Sequence, residues 1–274
     1  MIRRLVQAPA GALGTAIVLL VALAAAFAPW LAPYDPDQIA ILDRFAGLST
    51  AHWLGTDQLG RDLLSRLLYG ATVAMAVSAI AIAIAAAAGT LLGVAAAAMG
   101  GWGERAVLIL FDIVAAFPSL VLALAVVAVF GPGNGHLVGI VAVTLAPQFG
   151  RVARAQVLTL QAQPFLEAER ILGASPIRIL WHHILPNIAG PLIVLASMEV
   201  PSVITIEAGL SFIGLGVRPP LASWGTLIYD GYSYLSDSIL PVLVSSIALA
   251  VATLGFTLFG EALRDAADPR AALR

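Results

Sequence analysis

Three carboxylates, Asp112, Glu199 and Glu207, stand inside long apolar runs of this chain. A charge held at mid-bilayer is costly, so such groups face a bundle interior or a water-filled path. Glu199, with Pro201 just after it, suits contact with a polar or cationic group of a passing solute. The bland alternative is a hydrogen bond that packs two helices. Glu207 is a further candidate for such a path. Asp112 is a third, although it lies within two turns of Arg105 and suits an interfacial position as well. Covalent chemistry has little to work with. There is no cysteine, which removes disulfides, thiol catalysis and cysteine-ligated metals. There is no lysine either, because all fourteen basic residues are arginine. A G-x-x-x-x-G-K-[ST] phosphate loop is therefore excluded, and any ATP must be bound by another chain. His52 and His136 are isolated. His182 and His183 are adjacent and diverge by about 100° on a helix, so no metal site is expected. An intramembrane hydrolase would need a convergent Ser/His set or paired carboxylates within the spans. The histidines fall outside the expected spans, and no H-E-x-x-H is present.

The elements that position these residues are membrane helices. The chain has 274 residues, 60% hydrophobic and 11% charged, against about 25% charged in a soluble domain. So few charges cannot cover a wetted surface, and most of the surface must face lipid. The net charge of -2 gives no sign of a nucleic-acid partner. Continuous rather than alternating apolar runs indicate helices, not a barrel. Taking about 20 residues per span, candidates fall near 11–31, 72–98, 106–130, 137–150, 188–209 and 239–260. The first follows Met1-Ile2-Arg3-Arg4 like a signal peptide, but its length fits a retained helix better. The fourth is short, holds Pro147, and extends into the arginine-bearing segment after it.

Six spans put both termini on one side. With the N-terminus inside, Arg3, Arg4, Arg105, Arg151, Arg154, Arg170, Arg178, Arg264, Arg270 and Arg274 are cytoplasmic. Only Arg44, Arg61, Arg66 and Arg218 are outside, which supports N-in and C-in. Runs such as Ala85-Ala86-Ala87-Ala88-Gly89 let helix backbones approach closely, within the chain or against a partner. We divide the chain into 1–71, a first transmembrane helix with an outer-side segment, and 72–274, a core of five transmembrane helices.

A polar cytoplasmic loop at 151–187 interrupts the apolar pattern. Residues 167–172 are helix formers, and Gly173 is a terminator. Ser175 and Pro176 start a second helix as N-cap and first residue, and Pro186 ends it. Ile171, Leu172, Ile177, Ile179, Leu180 and Trp181 supply an apolar face suited to a groove on another protein. An ordinary interfacial helix pair is the bland alternative.

This loop resembles the "EAA" loop of ABC importer permeases, a pattern of Glu-Ala-Ala, three residues, Gly, nine residues, Ile-x-Leu-Pro. Glu167, Ala168, Gly173, Leu185 and Pro186 fall in register. Glu169 stands where Ala is usual and His183 where Ile is usual. The form His183-Ile184-Leu185-Pro186-Asn187 is similar to the peptide/nickel branch. Three more segments resemble that branch. One runs from His52 through Gly55, Asp57, Gly60, Arg61 and Asp62 to Arg66 and Gly70, where i,i+4 pairs among Asp57, Arg61, Asp62 and Arg66 are worth only tenths of a kcal/mol each, and anchoring at the outer interface is favoured over substrate contact. Another is Glu207-Ala208-Gly209-Leu210-Ser211-Phe212-Ile213-Gly214-Leu215-Gly216 with Pro219-Pro220 and Trp224, whose glycines are expected to loosen the helix end. The last is the tail Phe259 to Arg270, with Glu261 and Ala267 replacing the usual Asp and Leu.

The resemblance covers about residues 30 to 270. It implies an all-α, polytopic type I ABC importer transmembrane domain of about six helices in a bacterial inner membrane. It implies a second homologous permease, two ATPase subunits binding ATP and Mg, and an extracytoplasmic solute-binding protein. This chain would carry no cofactor. ATPase coupling would fall to Glu167, Ala168, Glu169, Gly173, Ala174 and Ser175, with Leu185 and Pro186 fixing the hinge to the fifth span. Gly209, Phe212, Gly214, Gly216 and Trp224 would form an outer gate or docking surface. Peptides rank first as cargo, other small polar solutes such as glutathione or opines second, and nickel complexes third. A self-contained channel or ion-coupled transporter, the other class, would not need this loop.

Overall fold

Apolar runs without alternation can satisfy their backbone in lipid as helices, and this chain takes that course. The computed structural model describes residues 8–131, 133–218 and 220–267. Arg3, Arg4, Pro219 and the tail from Asp268 lie outside the described residues. The described chain is helical, with one isolated bridge between Thr56 and Asp62. The helices are α1 (Pro9–Ala26), α2 (Ala28–Leu31), α3 (Leu63–Met99), α4 (Gly101–Ala116), α5 (Ser119–Phe130) and α6 (Asn134–Gln161). They continue with α7 (Pro164–Ile171), α8 (Pro176–Ile179), a π-turn at Leu180–Ile184, α9 (Leu185–Phe212), α10 (Trp224–Ser233) and α11 (Leu240–Ala267). Five helical stretches are long and apolar enough to cross a membrane, and the α4–α5 pair makes a sixth if counted as one span.

The boundaries depart from the sequence reading where local chemistry overrides the apolar count. The second span starts at Leu63, not near 72, because Asp62 accepts from the Ser65 amide at 2.8 Å and caps the helix there. The expected division at 71/72 thus falls inside one continuous helix. The third span is bent by 87° between Ala116 and Ser119. Pro118 supplies the cause: its ring disfavours a helical Phe117, which sits extended at φ −88° and ψ 127°. The fourth span is a full 28-residue helix that runs through Pro147 into the arginine segment. Pro186 does not end a helix. The π-turn before it widens the backbone at the place where the proline ring would meet the carbonyl four residues back. Asn187 Nδ2 then donates to the His183 carbonyl at 2.6 Å.

Packing follows small residues. A Cβ on Gly89 would overlap the Ala146 carbonyl, and one on Gly93 would overlap that of Gly150. The α3 and α6 backbones therefore touch without side chains between them. Phe111 of α4 fills the notch at Gly150. One core joins α3, α5, α6 and α9 around Phe149, Leu137, Val203 and Leu210. A second joins α1, α3, α9, α10 and α11 around Trp224, Ile204 and Phe256. The first helix is thus part of the bundle.

Candidate functional site

Two adjoining devices hold the candidate residues: an elbow between α6 and α9, and the polar groups along α6 and α9 themselves. At the elbow, Pro164 occupies the first turn of α7. The helix ends at Gly173, whose φ of +82° is the left-handed region that glycine adopts without a Cβ penalty. The Gly173 amide donates to the Arg170 carbonyl and the Ala174 amide to that of Glu169, each at 3.0 Å. These two bonds are a Schellman cap. Ser175 Oγ then accepts from the Arg178 amide at 3.3 Å and starts α8. The terminator and N-cap roles read from the sequence hold at both residues.

The apolar residues of the elbow divide between two faces. Leu166, Ile179 and Ile184 are buried against Ala97, Ala153, Val157 and Ile188, and Leu180 is half-buried beside them. Ile171, Leu172, Ile177 and Trp181 are 80%, 82%, 70% and 64% exposed. Four of the six residues expected on the docking face therefore lie open, and Ile179 and Leu180 anchor the elbow instead. Glu167 and Ala168 are exposed. Glu169 and His183, the two departures from the EAA pattern, meet each other at 3.5 Å.

Of the intramembrane carboxylates, Glu199 is buried on α9 with the Gln148 amide of α6 as its polar neighbour. Gln148 was missed in the sequence, although it is a lone amide beside Pro147 in an apolar run. Glu207 is fully buried, and its Oε1 accepts from Ser211 Oγ at 2.7 Å. Among the described residues its Oε2 has no hydrogen-bond partner. Ser211 Oγ also accepts from the Val217 amide at 3.1 Å, so this group holds the outer loop against the helix end. In this conformation Glu207 lines no open path. Asp112 is exposed and pairs with Arg151 at 2.8 Å, while Arg105 lies over the Trp102 ring. Asp112 thus ties α4 to α6 near the arginine-rich end, where Glu104 also pairs with Arg154.

At the outer end, Gly209 lies within α9, which stays helical to Phe212, so it does not loosen the helix. Gly214, at φ +78°, ends α9 with a second Schellman pair: its amide donates to Ser211 and that of Leu215 to Leu210. A Cβ on Gly216 would overlap Ser211 Oγ. Phe212 meets the rings of Tyr229 and Tyr232 edge-on, with centroids 6.0 and 6.2 Å away. Trp224 is 3% exposed and donates from Nε1 to the Leu67 carbonyl at 3.1 Å. It therefore offers no docking surface and holds α10 on α3.

The outer segment before α3 carries a buried ion network that includes the expected i,i+4 pair of Asp57 and Arg61. Asp57, 1% exposed, accepts from Arg61 Nε at 2.7 Å and lies 3.5 Å from Arg66 Nε. Arg61 also reaches Asp230 of α10 at 3.6 Å, and His52 Nδ1 bonds Asp62 at 2.9 Å. His136 lies inside the first turn of α6, not outside the spans, with Nδ1 on the Gly131 carbonyl at 2.8 Å. His182 and His183 lie in the π-turn that continues into α9. Among the described residues, no group of three His, Asp or Glu side chains is placed to hold a metal.

Known proteins resemble this chain. The family described as "Binding-protein-dependent transport system inner membrane component" matches residues 89–273, and "N-terminal TM domain of oligopeptide transport permease C" matches residues 1–47. The glutathione transport system permease protein GsiD of Pectobacterium atrosepticum is 38% identical over 269 residues, 98% of this chain and 89% of that protein. The probable D,D-dipeptide transport system permease protein DdpC of Escherichia coli is 36% identical, over 93% of this chain and 86% of its own length. The dipeptide transport system permease protein DppC of Alkalihalophilus pseudofirmus is 36% identical, with coverages of 94% and 84%. An inward-facing structure of the MetNI methionine ABC transporter superposes with a TM-score of 0.58 at 18% identity, over 75% of this chain and 96% of that one. That likeness speaks for the fold alone. Helices, elbow and relatives agree along nearly the whole length, and this multi-pass membrane chain belongs to the inner membrane components of binding-protein-dependent transport systems, in their peptide-permease C-type branch.

Proposed function

We propose that this chain is one of two homologous permeases of an ATP-driven bacterial inner-membrane importer. Two ATPase subunits, binding ATP and Mg, dock on the elbow from the cytoplasm, and an extracytoplasmic binding protein delivers the solute. The observation that carries this reading is the outward face of Ile171, Leu172, Ile177 and Trp181 on a rigidly capped elbow. A membrane protein gains nothing by exposing four large apolar side chains to water unless a partner covers them. Closure of the ATPases would move the elbow, and with it α6 and α9, its direct continuations on either side. Those two helices carry Gln148 and Glu199, so the rocking would change what Glu199 faces. Relatives named for glutathione, D,D-dipeptide and dipeptide transport support a cargo with amide and ionised carboxyl groups, peptides first.

The test is co-purification of the tagged chain from its native membrane in mild detergent, with partners identified by mass spectrometry. A related permease with one or two P-loop ATPases is the expected result. Recovery of this chain alone under several detergents would refute the importer assembly and move belief to a self-contained transporter.

A further inference from the structure

Between the inner ends of α3 and α6 and the buried side of the elbow lies a cavity of 380 Å³. Val94, Ala98, Val157, Ile179 and Ile184 line it, and Arg170 is the only charged side chain at its wall. Its depth in the membrane is marked from outside. Four residues beyond Ala98, Trp102 is 83% exposed and Arg105 lies over its ring at 5.4 Å, an aromatic and cationic pair typical of the headgroup level. We infer that this cavity holds one acyl chain of an anionic phospholipid of the cytoplasmic leaflet, with the lipid phosphate on the Arg170 guanidinium. The inference rests on the chain's membrane-spanning family and not on ATPase docking, with Ile177 at the border of the two surfaces, at the cavity wall and 70% exposed.

Chemistry disfavours a polypeptide occupant. A peptide would bring a row of N–H and C=O groups against a wall whose polar side chains are Gln161 and Arg170 alone. A hydrocarbon chain has no such groups. Arg170 is exposed, and among the described residues it has no acidic partner, since the neighbouring Glu169 is engaged with His183. A planar guanidinium at the headgroup level matches a phosphate in charge and geometry. A lipid seated there would fill the space behind the elbow.

The complete transporter, purified in mild detergent and exchanged with either phosphatidylglycerol or phosphatidylethanolamine, tests this by native mass spectrometry. Wild type is expected to retain one more phosphatidylglycerol per copy of this chain than phosphatidylethanolamine. Arg170→Gln should weaken that retention about tenfold, the loss of one charge-assisted contact. Ala98→Trp, which fills the cavity from α3 and leaves the elbow sequence unchanged, should remove the lipid while the subunits stay assembled. If the tryptophan variant fails to assemble, Arg170→Gln decides alone. Equal retention of the two lipids by wild type, or an Arg170→Gln variant that retains as wild type does, overturns the inference. So does a photo-crosslinker on Ala98→Cys that captures an ATPase polypeptide and no lipid.

Discussion

Asp57 shows how burial changes the worth of a charge. Its carboxylate is 1% exposed between Arg61 and Arg66, themselves 8% and 2% exposed, and it also accepts the amides of Leu59 and Arg61. An exposed i,i+4 pair would contribute about 0.3–0.5 kcal/mol. Removing one member of a buried pair leaves an uncompensated charge and costs about 3–5 kcal/mol. Asp57→Asn keeps the shape and removes the charge, so Arg61 would keep only Asp230 and Arg66 only Asp37, each 3.6 Å away and more exposed. The expected result is a thermal midpoint lowered by roughly 10 °C in detergent, and an unchanged midpoint would return the network to the status of surface ornament. Glu169 and His183 pose the opposite case, because both are partly open to solvent and 3.5 Å apart. A double-mutant cycle with Glu169→Ala and His183→Ala is expected to give a coupling of only about 0.5 kcal/mol in stability. Strict additivity would mean that the contact contributes nothing. Their neighbours in sequence gave no sign of this pairing, since it joins α7 to the π-turn fourteen residues on.

At the scale of elements, the elbow depends on one backbone conformation at Gly173. A Cβ there would meet no atom within 4 Å, so substitution is resisted only by the left-handed φ, about 1–2 kcal/mol for a non-glycine residue. Gly173→Ala should therefore insert normally and keep most of its uptake. Gly173→Arg should also insert, but it places a long charged side chain beside exposed Leu172 and should abolish uptake by blocking the ATPase face. Normal uptake by a well-expressed arginine variant would end the coupling assignment. Local devices of this kind were legible in the sequence because each is written within about five residues: Gly173 as terminator, Ser175 as N-cap, Arg154 as part of a helix that outruns its apolar core. Pro118 was equally local, yet its 87° bend was missed because the apolar run continues across it. Pro186 misled in the other direction, since the π-turn before it lets the helix run on. Contacts across the fold, such as Arg61 to Asp230 or Glu199 to Gln148, carry no local signal at all.

For the whole molecule, the seam between α3 and α6 decides how elbow motion reaches the membrane. Gly89, Gly93 and Gly150 let the two backbones touch, and Phe111 closes the seam from α4. The elbow is the direct continuation of α6, so α3 and α4 must travel with it or the seam must open. A methyl group at Gly150 would overlap the Phe111 ring and lie 3.0 Å from the Gly89 carbonyl. Overpacking of this kind costs about 1–3 kcal/mol, and it is relieved only if the Phe111 ring turns aside or α4 swings away. The Asp112–Arg151 and Glu104–Arg154 pairs resist that swing, since both join α4 to α6. Gly150→Ala should thus lower stability and uptake together while leaving insertion intact. Phe111→Leu removes the ring atoms in the way and keeps an apolar filler. The double variant should recover at least half of the lost midpoint, a non-additivity expected for residues in direct contact. A Gly150→Ala chain as stable and active as wild type, or a double variant whose losses simply add, would show that α4 is not locked to α6 and that the third span moves independently of the elbow.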